Sequence, residues 1–205
     1  VIAGVTQTAT ADSSGAWSVT FGSGDLAPGT YTATADVTAT DAAGNVSATS
    51  HSFDVDTEQA VTIDTGSVAV DGVVNGAEYG SDVTVTGTGE AGSAITVTSG
   101  GLTLGTTTVA QDGTWTLDFS PSLIDGAPGH SELGYTGTLT ATAVDAAGNT
   151  TSTSGTVTVD RNTSLFASFD DADFVVNASE RAAGVTLTGG AEPGATIAVA
   201  IGGQP

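Results

Sequence analysis

The stretch Asp41-Ala42-Ala43-Gly44-Asn45 recurs as Asp145-Ala146-Ala147-Gly148-Asn149, and each copy separates two runs rich in Thr, Val, Ala and Ser. Residues 38–56 and 142–160, which surround the two copies, are identical at 11 of 19 aligned positions. Compositional bias alone does not produce so many identities, and the spacing of 104 residues between the copies is the size of one small domain. The sequence therefore predicts a tandem array of domains in which this pentapeptide marks the same loop.

The runs beside these loops alternate between Val and Thr. In Val83-Thr84-Val85-Thr86 and Thr156-Val157-Thr158-Val159, Val would occupy one face of a strand and Thr the other. One buried and one solvated face is typical of antiparallel strands in a two-layer sandwich. Asp112-Gly113 before Trp115 indicates a tight hairpin turn. We therefore expect an all-β chain.

Three repeats of unequal completeness are predicted. Residues 1–57 would be the C-terminal half of a repeat, 58–160 a complete repeat, and 161–205 the N-terminal half of another. The seven strands expected in the complete repeat are 61–70, 82–88, 94–98, 102–110, 114–119, 135–144 and 150–159. Those expected in the first half are 5–11, 16–21, 31–40 and 46–55, and the third repeat would stop after its third strand. The two halves either belong to a longer array or complete one another between neighbouring molecules.

The charge of the chain restricts its partners. There are 23 acidic residues against Arg161 and Arg181, with no lysine, which gives a net charge of −21. Nucleic acid is excluded as a partner because nothing neutralises its phosphates. Cysteine is absent, so thiolate metal sites are excluded, and no apolar run approaches the length of a membrane span. Acidic residues that recur in loops instead favour bound cations.

Catalytic and zinc sites are not indicated. The two histidines are isolated in the sequence, and no nucleophile stands beside a base in a recognisable motif. We therefore predict that the protein is not an enzyme.

Three motifs carry a resemblance to a known family. They are Val-Asp-Ala-Ala-Gly-Asn at 144–149, a Val-Asp pair that closes each repeat, and Gly-x-x-Glu-x-Gly at 87–92 and 189–194. In these the chain resembles the bacterial immunoglobulin-like repeats of giant secreted adhesins, including biofilm-associated and type I-secreted surface proteins. The resemblance implies an extracellular rod of stacked immunoglobulin-like sandwiches of about seven antiparallel strands. It also implies calcium at the junctions, neighbouring repeats as partners, and a role in cell adhesion.

In such a sandwich successive strands alternate in direction, so alternate loops meet at one end. At the end where the linker enters, Asp145 and Asn149 should meet the linker residue Asp56 around one Ca2+, with Glu90 close by. All these side chains offer the hard oxygen atoms that Ca2+ prefers. The other predicted ligands are Asp71, Asn75, Glu78 and Asp160 at the opposite end, Glu192 in the third repeat, and Asp41 and Asn45 in the first. The spacing of Asp71, Asn75 and Glu78 recurs as Asp173, Asn177 and Glu180.

Other interpretations remain open at this point. The pentapeptide is also a good hairpin turn without any metal, since Asp accepts local N–H bonds and Gly adopts positive φ. The favoured function is a calcium-stiffened extender of a bacterial adhesin or surface fibre. One alternative is a filament subunit that joins through its half-domains. Another is a direct ligand- or surface-binding module, for which Tyr31, Tyr79 and Tyr135 are too scattered.

Overall fold

The computed structural model describes residues 4–126, 134–169 and 175–202. These residues form an all-β structure, which confirms the predicted fold class. The strands are β1 (Thr30–Thr40), β2 (Val46–Asp56), β3 (Val73–Asn75), β4 (Val83–Thr88), β5 (Ala94–Ser99), β6 (Leu102–Thr108), β7 (Thr114–Phe119), β8 (Gly134–Val144), β9 (Thr150–Asp160), β10 (Leu165–Phe169) and β11 (Leu187–Ala191). One α-helix, α1 (Ala178–Ala183), and three 3-10 helices, Thr65–Val70, Glu78–Gly80 and Pro121–Gly126, complete the secondary structure of these ranges.

The middle of the chain is a two-layer sandwich. One sheet has the strand order β3-β9-β8-β5-β6, and β4 pairs with β7 in the other. All these pairs are antiparallel except β3 with β9, which is parallel. Isolated bridges from Val61 to Gly89 and from Asp64 to Thr86 add residues 61–64 to the edge of β4. The segment before β4 therefore contributes to both sheets.

The core between the sheets consists mainly of β-branched and small side chains around one indole. Val85, Ile95 and Leu139 have no exposed surface, and Trp115 is 2% exposed. The indole N–H of Trp115 donates to the carbonyl oxygen of Thr88 at 3.2 Å, so its polar atom is satisfied. Gly87 lies opposite Trp115 in the β4–β7 register. A Cβ at Gly87 would overlap the indole ring, so this strand position requires glycine.

Six of the seven strands predicted for the complete repeat are confirmed to within two residues, and β7 agrees at both ends. The strand predicted at 61–70 is wrong. The Asp64 side chain accepts a bond from the backbone N–H of Gly66 at 3.0 Å and caps a 3-10 helix that begins at Thr65. Ala69 and Val70 then adopt positive φ angles of 53° and 76°, which no strand tolerates. The apolar alternation changes phase here, from the odd positions of Val61 and Ile63 to the even positions of Val68 and Val70, and the strand prediction overlooked this change.

The N-terminal segment has one sheet layer. Its β1–β2 hairpin copies the β8–β9 hairpin, with Thr40 opposite Val46 where Val144 lies opposite Thr150. The predicted strands 5–11 and 16–21 are not strands in the structure, although a turn joins them through a bond from Asp12 N to Ala16 O at 2.9 Å. In the described residues 4–56 the β1–β2 hairpin has no second sheet packed on it, so it buries little apolar surface. Residues 5–11 and 16–21 therefore have no neighbouring sheet to join.

The C-terminal segment is similarly thin. β10 pairs with β11 in a two-stranded sheet, and α1 begins with a capping box formed by Asn177 and Glu180. β11 begins at Leu187, and residues 196–201, which align with β5 of the complete repeat, are not a strand. Within the described residues no other strand lies beside them to supply ladder hydrogen bonds.

Candidate metal site at the first junction

Three loops meet at the end of the sandwich where the linker from β2 enters. The β4–β5 and β6–β7 loops are joined by bonds from Gly92 N to Val109 O at 2.9 Å and from Gly89 N to Gly113 O at 3.0 Å. The linker lies against the first of these loops through Gln59, whose Nε2 donates to the hydroxyl oxygen of Ser93 at 2.7 Å. The linker is therefore in contact with the repeat that it enters.

The third loop, residues 145–149, is a turn with its own hydrogen bonds. Asp145 Oδ1 accepts the backbone N–H of Asn149 at 2.8 Å, and Asp145 Oδ2 accepts Asn149 Nδ2 at 2.8 Å. Gly148 has a φ of 94°, the left-handed region that favours glycine. Both carboxylate oxygens of Asp145 thus stabilise the turn without a metal ion.

The copy at residues 41–45 has the same internal structure. Asp41 Oδ1 accepts the backbone N–H groups of Ala43 and Asn45 at 2.9 and 2.8 Å, and Asn45 Nδ2 donates to Asp41 Oδ2 at 2.8 Å. Gly44 has a φ of 87°. The turn is therefore determined by the pentapeptide itself.

At the second copy, three carboxylates converge. One oxygen each from Asp56, Glu90 and Asp145 lies within 4.8 Å of the other two. Asn149 Nδ2 also donates to the backbone carbonyl of Asp56 at 3.1 Å, which ties the β8–β9 loop to the end of β2. Asp145 is only 9% exposed. The structure thus brings together the four residues that were predicted to meet at this junction.

The electrostatics of this cluster favour a bound cation. Burial raises the pKa of Asp145, but hydrogen bonds from the Asn149 side chain and backbone and from Gly148 and Ala147 outweigh it, so the pKa is lowered overall. Asp145 is therefore ionised at neutral pH. Carboxylates this close to one another repel when they are ionised. A divalent cation would replace this repulsion with attraction.

The dimensions of the cluster suit Ca2+. Ca2+ binds oxygen at about 2.3–2.6 Å, so two of its ligand atoms lie at most about 5 Å apart. An open cleft of about 800 Å³ is lined by Glu90, and also by Glu58, Gln59 and Asn149, so water can reach the Glu90 side of the cluster. Asn149 offers its amide nitrogen to both neighbours here, so its role in this geometry is to position Asp145 and the linker.

Comparison with known proteins now identifies the repeats. Residues 69–160 match the family described as bacterial Ig domain, and residues 1–57 match the family described as bacterial Ig-like domain. The chain belongs to the bacterial immunoglobulin-like domains. The resemblance seen in the sequence motifs is confirmed. No catalytic family matches the chain, and no curated protein matches it.

Solved structures similar to the chain come from large bacterial adhesins. A Ca2+-stabilized adhesin that helps an Antarctic bacterium reach out and bind ice is 36% identical, over 88% of this chain and 45% of that one, with a TM-score of 0.42. A bacterial immunoglobulin-like domain from the M. primoryensis ice-binding adhesin is 32% identical over 51% of this chain and 99% of that one, with a TM-score of 0.36. A structure concerned with host cell surface retention of a 1.5-MDa bacterial ice-binding adhesin is 27% identical over 77% and 51% of the two chains, with a TM-score of 0.40. This chain therefore spans less than half the length of the first of them.

At the opposite end of the complete Ig-like repeat, the predicted ligands have other partners. Asp71 Oδ1 accepts the backbone N–H of Val73 at 2.9 Å. Asn75 Oδ1 accepts the N–H of Glu78 at 3.1 Å, and Glu78 Oε2 accepts the N–H of Asn75 at 3.0 Å. Asn177 and Glu180 form the same reciprocal pair at α1, where it is a capping box. Local bonds to the backbone therefore account for the repeated spacing without a metal, and the ligand roles of Asp71, Asn75 and Glu78 remain predictions; Asp173 lies outside the described residues.

Asp160 lies across the β3–β9 pair from Asn75, beside Arg161, whose guanidinium lies 4.4 Å from the centre of the Tyr79 ring. Among the described residues, no group of three acidic side chains converges at this end. Within the described residues, Asp160, Glu192 and Asp41 are likewise in no such group, so their ligand roles and that of Asn45 remain predictions.

Some contacts at the two junctions had no signal in the sequence. Gln59 and Ser93 connect the linker to the β4–β5 loop, and Ser93 is buried at 1% exposure without any motif that marks it. The stacking of Arg161 on Tyr79 could have been suspected, because Arg161 is one of only two cationic side chains and follows a repeat-closing Asp. The rarity of cationic residues is thus the feature of the sequence that could have indicated the contact between Arg161 and Tyr79.

In the ranges that the structure describes, no helix is long and apolar enough to cross a membrane.

Proposed function

We propose that this chain is an extender segment of an extracellular bacterial adhesin or surface fibre, stiffened by Ca2+ at the junctions between its Ig-like repeats. The observation that carries the proposal is the convergence of Asp56, at the end of β2, with Glu90 and Asp145 from two loops of the next repeat. A cation bound by residues on both sides of the linker would fix the orientation of the linker relative to the repeat that follows it.

The physical mechanism follows from the charges. Without a cation, the three carboxylates repel, and the linker is held to the repeat by the neutral contacts of Asn149 and Gln59. Ca2+ bound to all three would join the linker to the β4–β5 and β8–β9 loops at once. Each junction so fixed removes orientational freedom between two neighbours. A flexible string of domains thereby becomes a stiff rod.

The architecture suits a spacer. Eleven-residue strands such as β8 and β9 give each repeat a length of about 36 Å at about 3.3 Å per residue. In a linear stack each repeat contacts only its neighbours, so the reach of the array grows in proportion to the number of copies. In this proposal the partners are neighbouring repeats, the location is the bacterial cell surface, and the array supports cell adhesion or biofilm formation.

The domain boundaries belong to the same proposal. Residues 58–160 would be one complete unit, with Asp56 and Asp160 at equivalent positions before and after it. Asp160 and Glu192 would then be the second junction's counterparts of Asp56 and Glu90. The strongest prediction concerns the first junction, where the structure places the carboxylates together.

Small-angle X-ray scattering of the full chain in EDTA, in Ca2+ and in Mg2+ tests the proposal. We expect Ca2+ to increase the maximum dimension and reduce the signs of flexibility in the scattering profile. Mg2+ should do so less, because it requires shorter bonds and retains its water. Identical profiles in EDTA and Ca2+ would refute the stiffening mechanism.

A matched pair of variants assigns the effect to the cluster. Asp56→Asn removes one charge from the three carboxylates, whereas Asp112→Asn removes one from the β6–β7 turn, whose carboxylate accepts bonds from Thr114. Asp56→Asn should abolish the Ca2+ response, and Asp112→Asn should retain it. Equal responses would place the Ca2+ effect elsewhere.

A further inference from the structure

Asn75 differs from the other asparagines of the chain in the residue that follows it, which is Gly76. The other four asparagines precede residues with a side chain, namely Val46, Thr150, Thr163 and Ala178. Asparagine is a thermolabile residue, because its carboxamide can react with the backbone nitrogen of the next residue. A side chain on that next residue hinders the reaction. Asn75 and Gly76 are both exposed, so water and hydroxide can reach them.

The tertiary structure requires the glycine at position 76. β3 runs parallel to β9 with Asn75 opposite Asp160, and the chain then turns beside the linker that follows β9. A Cβ at Gly76 would lie 2.6 Å from the backbone carbonyl oxygen of Arg161, which is closer than two such atoms can pack. The Asn-Gly sequence is therefore a consequence of how the linker leaves the repeat.

The local hydrogen bonds activate the carboxamide of Asn75. Its Oδ1 accepts the backbone N–H groups of Ala77 at 2.9 Å and of Glu78 at 3.1 Å. When a nucleophile attacks Cγ, negative charge develops on this oxygen, and N–H donors already aimed at it stabilise that charge. The reacting carbon and the donors for its oxygen are thus held together in one turn.

We propose that Asn75 is a site of spontaneous deamidation in the folded chain. A base in solution removes the proton of the Gly76 backbone nitrogen, which attacks Asn75 Cγ. The bond between Cγ and Nδ2 breaks as Nδ2 takes up a proton, ammonia leaves, and a cyclic succinimide remains. Water then opens the ring, and attack at Cγ produces aspartate whereas attack at the main-chain carbonyl produces isoaspartate. Water is consumed and ammonia released, with no oxidation or reduction.

The modification changes the end of the repeat from which the next linker leaves. Glu78 Oε2 accepts the backbone N–H of Asn75 at 3.0 Å, so the new carboxylate lies beside an existing one and repels it. Aspartate keeps the course of the main chain. Isoaspartate lengthens the main chain where Gly76 already lies against Arg161, and so disturbs the pairing of β3 with β9.

Asn177 provides a matched control within the same chain. Its Oδ1 accepts the backbone N–H groups of Ser179 and Glu180 at 2.9 and 3.1 Å, and Glu180 Oε2 accepts the N–H of Asn177 at 2.8 Å. These bonds copy those of Asn75, and Asn177 is exposed as well. The residue that follows it is Ala178. The two sites therefore share their hydrogen bonds and differ in the step on which the reaction depends.

Peptide mapping by mass spectrometry tests the proposal on the full chain. The chain is held folded in EDTA at mildly alkaline pH for increasing times, with circular dichroism to verify the fold, and pepsin digestion in acid stops the reaction. We expect the peptide with Asn75 to convert to the acid form while the peptide with Asn177 keeps its amide. The conversion should become faster as the pH rises, because the attacking nitrogen must lose its proton.

Two variants assign the reaction to the residue pair. Ala178 is exposed and begins α1, so Ala178→Gly is a mild change that should make Asn177 react as well. Asn75→Gln lengthens the side chain and disfavours ring closure, so the more acidic species seen on isoelectric focusing of wild type should no longer accumulate. Gly76→Ala is unsuitable as a test, because its Cβ would collide with Arg161.

An Asn75 that keeps its amide in the folded chain, or equal conversion at Asn75 and Asn177 in wild type, would overturn the proposal. An Ala178→Gly chain in which Asn177 stays unreactive would overturn the role given to the following glycine. These outcomes are independent of the proposed calcium function, because no cation takes part in the reaction.

Discussion

The two Asp-Ala-Ala-Gly-Asn turns, residues 41–45 and 145–149, share their internal hydrogen bonds and differ in their surroundings. In both, the Asp carboxylate accepts the backbone N–H and the side-chain amide of the Asn at 2.8 Å. Asp41 is exposed, whereas Asp145 is 9% exposed and faces two other carboxylates. The pentapeptide therefore makes the turn, and the neighbouring linker makes the candidate metal site.

Trp17 and Trp115 also occupy equivalent positions in different surroundings. Each follows a turn closed by Gly, at residues 12–15 and 110–113. Trp115 is enclosed between two sheets and bonded to Thr88, whereas Trp17 is 54% exposed. Equivalent sequence positions thus contribute very differently to stability, according to whether a second layer is present.

The largest expected difference between the two regions concerns the tryptophans. Trp115→Ala should reduce the free energy of unfolding of the complete repeat by about 3–5 kcal/mol, because it leaves a cavity in the core. Trp17→Ala should change it by less than about 0.5 kcal/mol, because Trp17 is already largely exposed. Urea unfolding followed by circular dichroism measures both. Similar losses in the two variants would show that the N-terminal segment has a packed core of its own.

The second largest difference expected between the two turns is their effect on stabilisation by Ca2+. At a hundredfold excess over its dissociation constant, a ligand that binds only the folded state adds about 2.7 kcal/mol to the stability. Thermal melting in Ca2+ and in EDTA should therefore show a clear rise in the midpoint for wild type. Asp41→Asn should retain the rise and Asp145→Asn should lose it. If both variants retain it, Asp145 is not a ligand.

The two asparagines differ by one hydrogen bond. Asn149 donates to Asp145 and also to the Asp56 carbonyl, whereas Asn45 donates to Asp41 within its own turn. In EDTA, Asn149→Ala should therefore cost about 1 kcal/mol more than Asn45→Ala. Chemical unfolding of the two variants measures the difference. Equal costs would mean that the bond to the linker contributes nothing.

The smallest effect is the response to acid. The folded-state pKa of Asp145 lies below its ordinary value of 3.8, so its stabilising contribution is complete above that value. It is lost as the pH falls through the lowered pKa, because the unfolded chain then binds the proton more readily. Stability in EDTA should decline below about pH 4. The decline should be shallower in Asp145→Asn, and also in Asp41→Asn, because hydrogen bonds from the Asn45 side chain and backbone lower the pKa of Asp41 as well. A parallel decline in Asp145→Asn would assign the acid response to other groups.

The sequence predicted most of the fold because its signals are local. Val and Thr alternation located six strands, and the Asp-Gly pair before Trp115 located a hairpin. The strand prediction at 61–70 failed because the Asp64 side chain caps a 3-10 helix there, and the apolar alternation before Asp64 does not continue in phase after it. The metal-ligand roles of Asn75 and Glu78 remain predictions. Their side chains form a reciprocal pair of bonds with each other's backbone N–H, and such a pair uses the same residue types as a calcium loop.

By itself, the sequence determined the repeat, the all-β class, the two turns and the choice of oxygen ligands, because each depends on residues close together in the chain. Only the tertiary structure decided which copy of the turn becomes a candidate site. That depends on Asp56, 89 residues before Asp145, reaching the same end of the sandwich as Glu90.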